Sequence, residues 1–299
     1  MRIGVDLGGT KIAAIGLDDS GEVLARHRAA TPRDDYDATI AAIAGLVAHI
    51  EGETGRTGSV GVGIPGAEQR ATGLIKNANS VWLIGRPLRQ DLAAALDRPI
   101  RLANDANCFA LSEAVDGAGA GCAVVFGVIL GTGVGGGIVI DGRVLEGPNA
   151  IAGEWGHNPL PWPDDGERPG PSCYCGQHGC IETFLSGPRL AHDDAAQRGE
   201  RLDPDEIARR AAGGEDLATA ALGRYEERLA RALAGVINIV DPDVIVLGGG
   251  LSNLAGLYDD VPRLWHRFVF SDRVDTRLLP ARHGDASGVR GAAWLWPMS

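Results

Sequence analysis

Positive charge is what this chain has least of. Its 28 Lys and Arg face 39 Asp and Glu, a net charge of −11 over 299 residues. That balance repels nucleic acid and anionic membranes, so the expected partner is a small molecule, with no nucleic acid and no membrane. Cysteine is also sparse, five in all, three of them between positions 173 and 180. That usage does not suggest a secreted disulfide scaffold, and a reduced, cytoplasmic compartment with a metal site is expected. Met1-Arg2-Ile3 runs straight into a strand pattern, so no signal or transit segment is expected. A membrane-spanning run is missing as well. The 24 residues between Asp116 and Asp141 carry no charge, yet nine of them are glycine, which suits a turn between two buried strands.

Glycine is what the chain has in plenty: 44 Gly beside 16 Pro, in a globular composition of 44% hydrophobic and 22% charged residues. So much glycine implies many tight turns, or backbone that closely approaches a ligand. The length is comfortable for two domains.

The pattern along the chain is α/β. Ile3–Leu7 predicts a buried strand, Gly8-Gly9-Thr10 a turn, Ile12–Leu17 a return strand and Glu22–Leu24 a third. Helical spacing covers Asp37–Ile50, Leu88–Leu96, Cys108–Val115, Asp216–Val240 and Val289–Trp296, the fourth ending at Asp241-Pro242. Val60–Ile64, Ile100–Leu102 and Val244–Leu247 predict further strands, and 160–172 a surface loop. Gly4-Val5-Asp6-Leu7-Gly8-Gly9-Thr10 aligns with Gly127-Val128-Ile129-Leu130-Gly131-Thr132-Gly133, which suggests two related α/β domains facing each other. Ile129 stands where the first copy has Asp6, so only one copy offers a carboxylate.

Three glycine loops point to a nucleotide. Gly8 and Gly9, with Thr10 and Lys11, can meet phosphate oxygens, and Asp6 can hold Mg²⁺. Gly131-Thr132-Gly133 supplies a matching turn, and Gly248-Gly249-Gly250 can seat a nucleoside. Asn104-Asp105 lies where a strand gives way to a helix; Asp105 fits a general base and equally a helix cap. Glu154 and Glu182 are candidates for accepting sugar hydroxyls, against the ordinary alternative of solvated charge. Cys173, Cys175 and Cys180 with one histidine would close a tetrahedral Zn²⁺ site. His178 sits in the same cramped turn as Cys180, whereas His157 comes from a distant segment and would tie the Glu154 strip to the cysteine loop. Cys108 and Cys122 lie in apolar runs and fit core positions.

These residues resemble the ROK family of sugar kinases, within the actin/hexokinase-like superfamily, over essentially the whole chain. The resemblance rests on Asp6–Lys11, Asn104-Asp105-Ala106-Asn107, Gly153-Glu154-Trp155-Gly156-His157 and Cys173–Glu182. Within the family the chain most resembles bacterial fructokinases (manno(fructo)kinases), through Thr31–Tyr36, Lys76–Ser80, Asn158–Trp162 and Ser287–Trp296. The resemblance implies two ribonuclease-H-like domains with an interdomain cleft: 1–115 plus 286–299, and 116–285. It implies ATP and Mg²⁺ as cofactors with structural Zn²⁺, Asp105 as the base, and Asn104 on a sugar hydroxyl. It also implies Gly66, Asn79 and His157 at the sugar pocket, His157 as the fourth zinc ligand, and a homodimer. The implied reaction is fructose to fructose 6-phosphate, with mannose a second substrate. Glucokinase or N-acetylhexosamine kinase activity is the alternative. The family also includes sugar-responsive repressors, which carry a helix-turn-helix segment ahead of the phosphate motif. With that motif beginning at residue 3, a repressor is not expected.

Overall fold

The computed structural model describes residues 1–297. In chain order the elements are β1 (Arg2–Leu7), β2 (Lys11–Leu17), β3 (Val23–Ala30), α1 (Tyr36–Thr54), β4 (Ser59–Ile64), β5 (Ala67–Gln69), β6 (Leu74–Lys76), α2 (Leu88–Leu96), β7 (Ile100–Asn104) and α3 (Asp105–Val115). There follow β8 (Val124–Leu130), β9 (Val134–Ile140), β10 (Arg143–Val144), α4 (Glu182–Leu185), α5 (Gly187–Arg198), α6 (Pro204–Ala212), α7 (Asp216–Val240), β11 (Val244–Gly248), α8 (Leu257–Trp265), β12 (Arg277–Pro280) and α9 (Ser287–Trp294).

The first sheet has the strand order β3-β2-β1-β4-β7 and the second β10-β9-β8-β11-β12. In the first, β1 is antiparallel to β2 and parallel to β4. In the second, β11 lies parallel to both β8 and β12. Both sheets thus share the ribonuclease-H-like order, and the repeated strand–glycine-turn–strand unit heads each of them. The uncharged stretch after Asp116 folds into β8 and β9, and no described helix is long and apolar enough to cross a membrane.

Two compact units result. Unit 1 holds Met1–Gly121, Gly137–Gly153 and the residues from Arg282 on; unit 2 holds Cys122–Gly136 and Glu154–Ala281. The sequence-based grouping put 116–285 together, whereas Gly137–Gly153 counts with unit 1. Bare backbone is one reason: a Cβ on Gly137 would stand 2.7 Å from the Ala106 carbonyl oxygen, so the chain there lies directly against α3.

Local chemistry sets the helix limits. Asp35 accepts a hydrogen bond from the Ala38 N–H at 2.9 Å and Gly55 closes the other end in a left-handed conformation, which makes α1 longer than its apolar periodicity. The third strand runs on to Ala30 although Arg26, His27 and Arg28 look polar, because it is an edge strand with one face in solvent. The 160–172 segment is more than surface loop. Asp164 and Glu167 form a capping box, and buried Glu167 pairs with Arg231 at 2.8 Å and Arg228 at 2.7 Å. Burial opposes the Glu167 charge, but the two guanidinium groups outweigh it and hold the carboxyl down at about 2.

Candidate active site

In unit 1, β1 delivers Asp6 to its C-terminal end, paired with Ala13 on β2 and Gly63 on β4. Asp6 is half-buried; burial raises its pKa and the nearby Lys11 charge lowers it in part. The following turn is closed by the Gly8 N–H donating to the Lys11 carbonyl at 3.1 Å. It is braced from the segment just after β3: Thr31 donates to the Gly8 carbonyl at 2.7 Å and Arg33 to the Gly9 carbonyl at 3.1 Å. Thr10 and Lys11 are exposed.

On the same sheet, β7 ends in Asn104 and α3 opens with Asp105. The Asn104 side chain accepts the Ala106 N–H at 2.9 Å and donates to the Gly66 carbonyl at 3.2 Å. Asn104 is thus the helix cap, with Asp105 oriented by its own bond from the Ala106 N–H at 2.8 Å. Gly66 abuts Ala78, the neighbour of exposed Asn79, closely enough that a Cβ would meet the Ala78 Cβ at 2.9 Å. One turn along α3 lies fully buried Cys108, whose thiol is pushed up by burial and by the charges of Asp6 and Asp105. Both carboxylates therefore converge on one end of this sheet.

Sequence reasoning missed Asn107. It lines a cavity of about 60 Å³ together with Asn104, Glu68 and Glu146, and its buried Oδ1 has no hydrogen-bond partner among the described residues. An acceptor of that kind suits a hydroxyl donor. The only hint in the sequence was its place in the Asn104–Asn107 run.

Unit 2 holds the remaining candidates. The Gly131-Thr132-Gly133 turn links β8 to β9, with the Gly131 N–H donating to the Gly133 carbonyl at 3.0 Å. Gly248 ends β11, and Gly249 has a φ of +83° with no room for a Cβ, which would come 2.4 Å from the Leu130 carbonyl oxygen. Gly9, Gly131 and Gly250 differ from it: a Cβ at any of the three would meet nothing within 4 Å. Neither their neighbours nor their backbone angles demand glycine, so the backbone at these three positions is open to close approach.

Glu154 precedes and His157 ends a short helical turn, Trp155–His157. Trp155 is buried, donates to the Gly135 carbonyl at 3.0 Å and packs edge-on against Phe126. That anchor fixes the strip carrying both candidates. His157 Nδ1 lies 3.5 Å from the Cys173 sulfur, and the ligand atoms of His157, Cys173, Cys175 and Cys180 fall within 4.8 Å of one another. His178 contacts Ser172 instead, at 3.1 Å. The donor set fits Zn²⁺: three thiols and one imidazole around a common point, with the Cys175 and Cys180 sulfurs 3.6 Å apart.

Two further features were not foreseen. The hydroxyl of exposed Tyr174 meets His157 Nε2 at 2.9 Å. Although most of the ring is exposed, partial desolvation of the hydroxyl, and then the charges of Glu182, Cys173 and Glu154, push that phenol up to about 12. Glu182, the first residue of α4, accepts the Val134 N–H at 2.9 Å and so touches the second glycine turn directly.

The ROK family model matches residues 2–299. The chain belongs to the ROK family. An N-acetyl-D-glucosamine kinase from Photobacterium profundum is 44% identical over 299 residues, covering 99% of each chain. Among solved structures, the ROK hexokinase from Thermus thermophilus is 33% identical with a TM-score of 0.87, covering 98% of this chain and 96% of that one. A ROK family glucokinase from Streptomyces griseus, solved with glucose and AMPPNP, is 28% identical with a TM-score of 0.77, covering 100% and 99%. This ROK chain is a sugar kinase. The narrower resemblance to fructokinases needs correction: relatives at 44% identity are N-acetyl-D-glucosamine kinases, in line with the alternative held beside fructose.

Proposed function

We propose that this ROK kinase transfers the γ-phosphoryl group of ATP to the primary hydroxyl of N-acetyl-D-glucosamine. The substrate rests on one observation, the 44% identity to kinases of that sugar along the whole chain. Asp105 accepts the hydroxyl proton as that oxygen bonds to the γ-phosphorus and the bond to the β-phosphate oxygen breaks. ADP, the sugar phosphate and one proton are the products. Asn104 and Asn107 offer amide groups to sugar hydroxyls beside Asp105, with Gly66 and Asn79 adjoining. Glu154, Glu182 and His157 form the sugar-recognition set of unit 2. Carboxylate acceptors of this kind reject analogues that lack the hydroxyl.

The turns Gly8–Lys11 and Gly131–Gly133 receive phosphate oxygens on backbone N–H groups, and Gly248–Gly250 borders the nucleoside. Asp6, a desolvated carboxylate with a lysine nearby, suits a hard cation held directly or through water, and Mg²⁺ there would neutralise phosphate charge. Zn²⁺ on His157 and the three cysteines would be structural, because four protein ligands leave no open position.

Substrate preference is read by a coupled ADP-release assay across N-acetyl-D-glucosamine, N-acetyl-D-mannosamine, glucose, mannose and fructose. N-acetyl-D-glucosamine should give the highest kcat/KM, exceeding fructose at least roughly tenfold, as a pocket that hydrogen-bonds its substrate discriminates. Fructose at the head of that order would reject the proposal.

A further inference from the structure

We infer that Glu182 is a positioning residue for the phosphate turn, through which the cysteine cluster sets nucleotide affinity as well as the sugar pocket. This deepens the kinase reading and rests on it. The Gly131–Gly133 turn is held at both ends by one stretch of chain. At its exit, Glu182 Oε2 accepts the Val134 N–H at 2.9 Å. At its entrance, the Gly187 N–H donates to the Gly131 carbonyl at 2.8 Å. Gly133 is bare on the side of the carboxylate, since a Cβ there would stand 2.7 Å from Oε2.

Two residues upstream of Glu182 lies Cys180, buried, with its sulfur beside Cys175 and the His157 carbonyl. Little slack separates Cys180 from the carboxylate. The Cys180 carbonyl accepts both the backbone N–H and the hydroxyl of Thr183, at 2.8 and 2.7 Å, and the Ile181 N–H donates to the Asn158 carbonyl at 2.8 Å. A cluster held closed fixes Cys180, hence the start of α4, hence the bond to Val134. A carboxylate has acceptor sites enough to hold this N–H and a sugar hydroxyl together, so the grip on the turn adds to a sugar contact.

Calorimetric titration of the full chain with Mg²⁺ and β,γ-imido-ATP, without sugar, reads this directly, with zinc content measured on each sample. Glu182→Gln keeps an amide oxygen that can accept from Val134, so its Kd should stay within about threefold of the unaltered chain. Glu182→Ala removes the acceptor and should weaken binding roughly tenfold. Gly133→Ala, which displaces the carboxylate while leaving every zinc ligand in place, should match it at full zinc content and serves if Glu182→Ala folds poorly. Chelating zinc should weaken the unaltered chain by a similar factor and add little to Glu182→Ala, because both break one path. Unchanged affinity in Glu182→Ala and Gly133→Ala, or a chelation effect that multiplies with Glu182→Ala, overturns the inference. An unaltered chain that binds no nucleotide analogue at all overturns the kinase reading beneath it.

Discussion

Replacing Asp105 with Asn should lower kcat by roughly 10²–10⁴, the range a positioned general base contributes. The substitution keeps the size of the side chain. Its amide oxygen can still accept the Ala106 N–H that orients Asp105 at 2.8 Å, so α3 should start as before. What is lost is proton affinity. The Kd for N-acetyl-D-glucosamine should change much less than kcat, since an amide still hydrogen-bonds a hydroxyl. Steady-state kinetics beside a sugar titration separate the two effects. A variant that keeps a third or more of the turnover would remove Asp105 from the role of base.

The second large effect concerns α9, which packs on α3 and on β1 and β4 through glycines. A Cβ on Gly291 would lie 1.6 Å from the Cys108 carbonyl oxygen, a main-chain atom that cannot rotate away. Gly291→Ala must therefore push α9 and α3 apart, and α3 carries Asp105 and Cys108. Destabilisation should reach about 3 kcal/mol or more, the upper end of overpacking. Gly9→Ala is the control: its Cβ meets nothing within 4 Å, and stability should change by no more than about 0.5 kcal/mol. Urea unfolding of both variants checks the pair, and equal midpoints would contradict the close approach of the two helices.

Residues that act through sequence-local patterns were legible. The strand-to-helix junction at Asn104-Asp105 and the 25-residue α7 follow from periodicity and caps. So does the paired use of a glycine hairpin, because both copies place a glycine in the strand and at the turn, Gly4 and Gly8 matching Gly127 and Gly131. Interactions between side chain and distant backbone leave no such trace. Glu182 and Val134 are 48 positions apart, and no spacing rule links a carboxylate to one N–H. Buried Glu113 likewise gathers the Ala118, Arg282 and His283 N–H groups and the Ser287 hydroxyl, yet reads in the sequence as an ordinary helical charge. The 44 glycines could not be sorted by eye either. Gly291 and Gly249 answer to neighbouring backbone, while Gly9, Gly131 and Gly250 stand open, and only coordinates separate those cases. Sugar choice was the least legible property. Of the segments that resemble fructokinases only Lys76–Ser80 carries a residue assigned to the sugar pocket, Asn79, and the other three, Thr31–Tyr36, Asn158–Trp162 and Ser287–Trp296, carry none.

The central claim is phosphoryl transfer to a primary hydroxyl, and phosphorus NMR of the product tests it most directly. The full chain is incubated with ATP, Mg²⁺ and N-acetyl-D-glucosamine, and the proton-coupled spectrum is recorded. A phosphate on the primary carbon couples to two methylene protons, so the account predicts a new phosphomonoester signal split by both, appearing in step with ADP and absent for Asp105→Asn over the same time. A doublet from a phosphate on a ring or anomeric carbon, or inorganic phosphate as the only new signal, would contradict it.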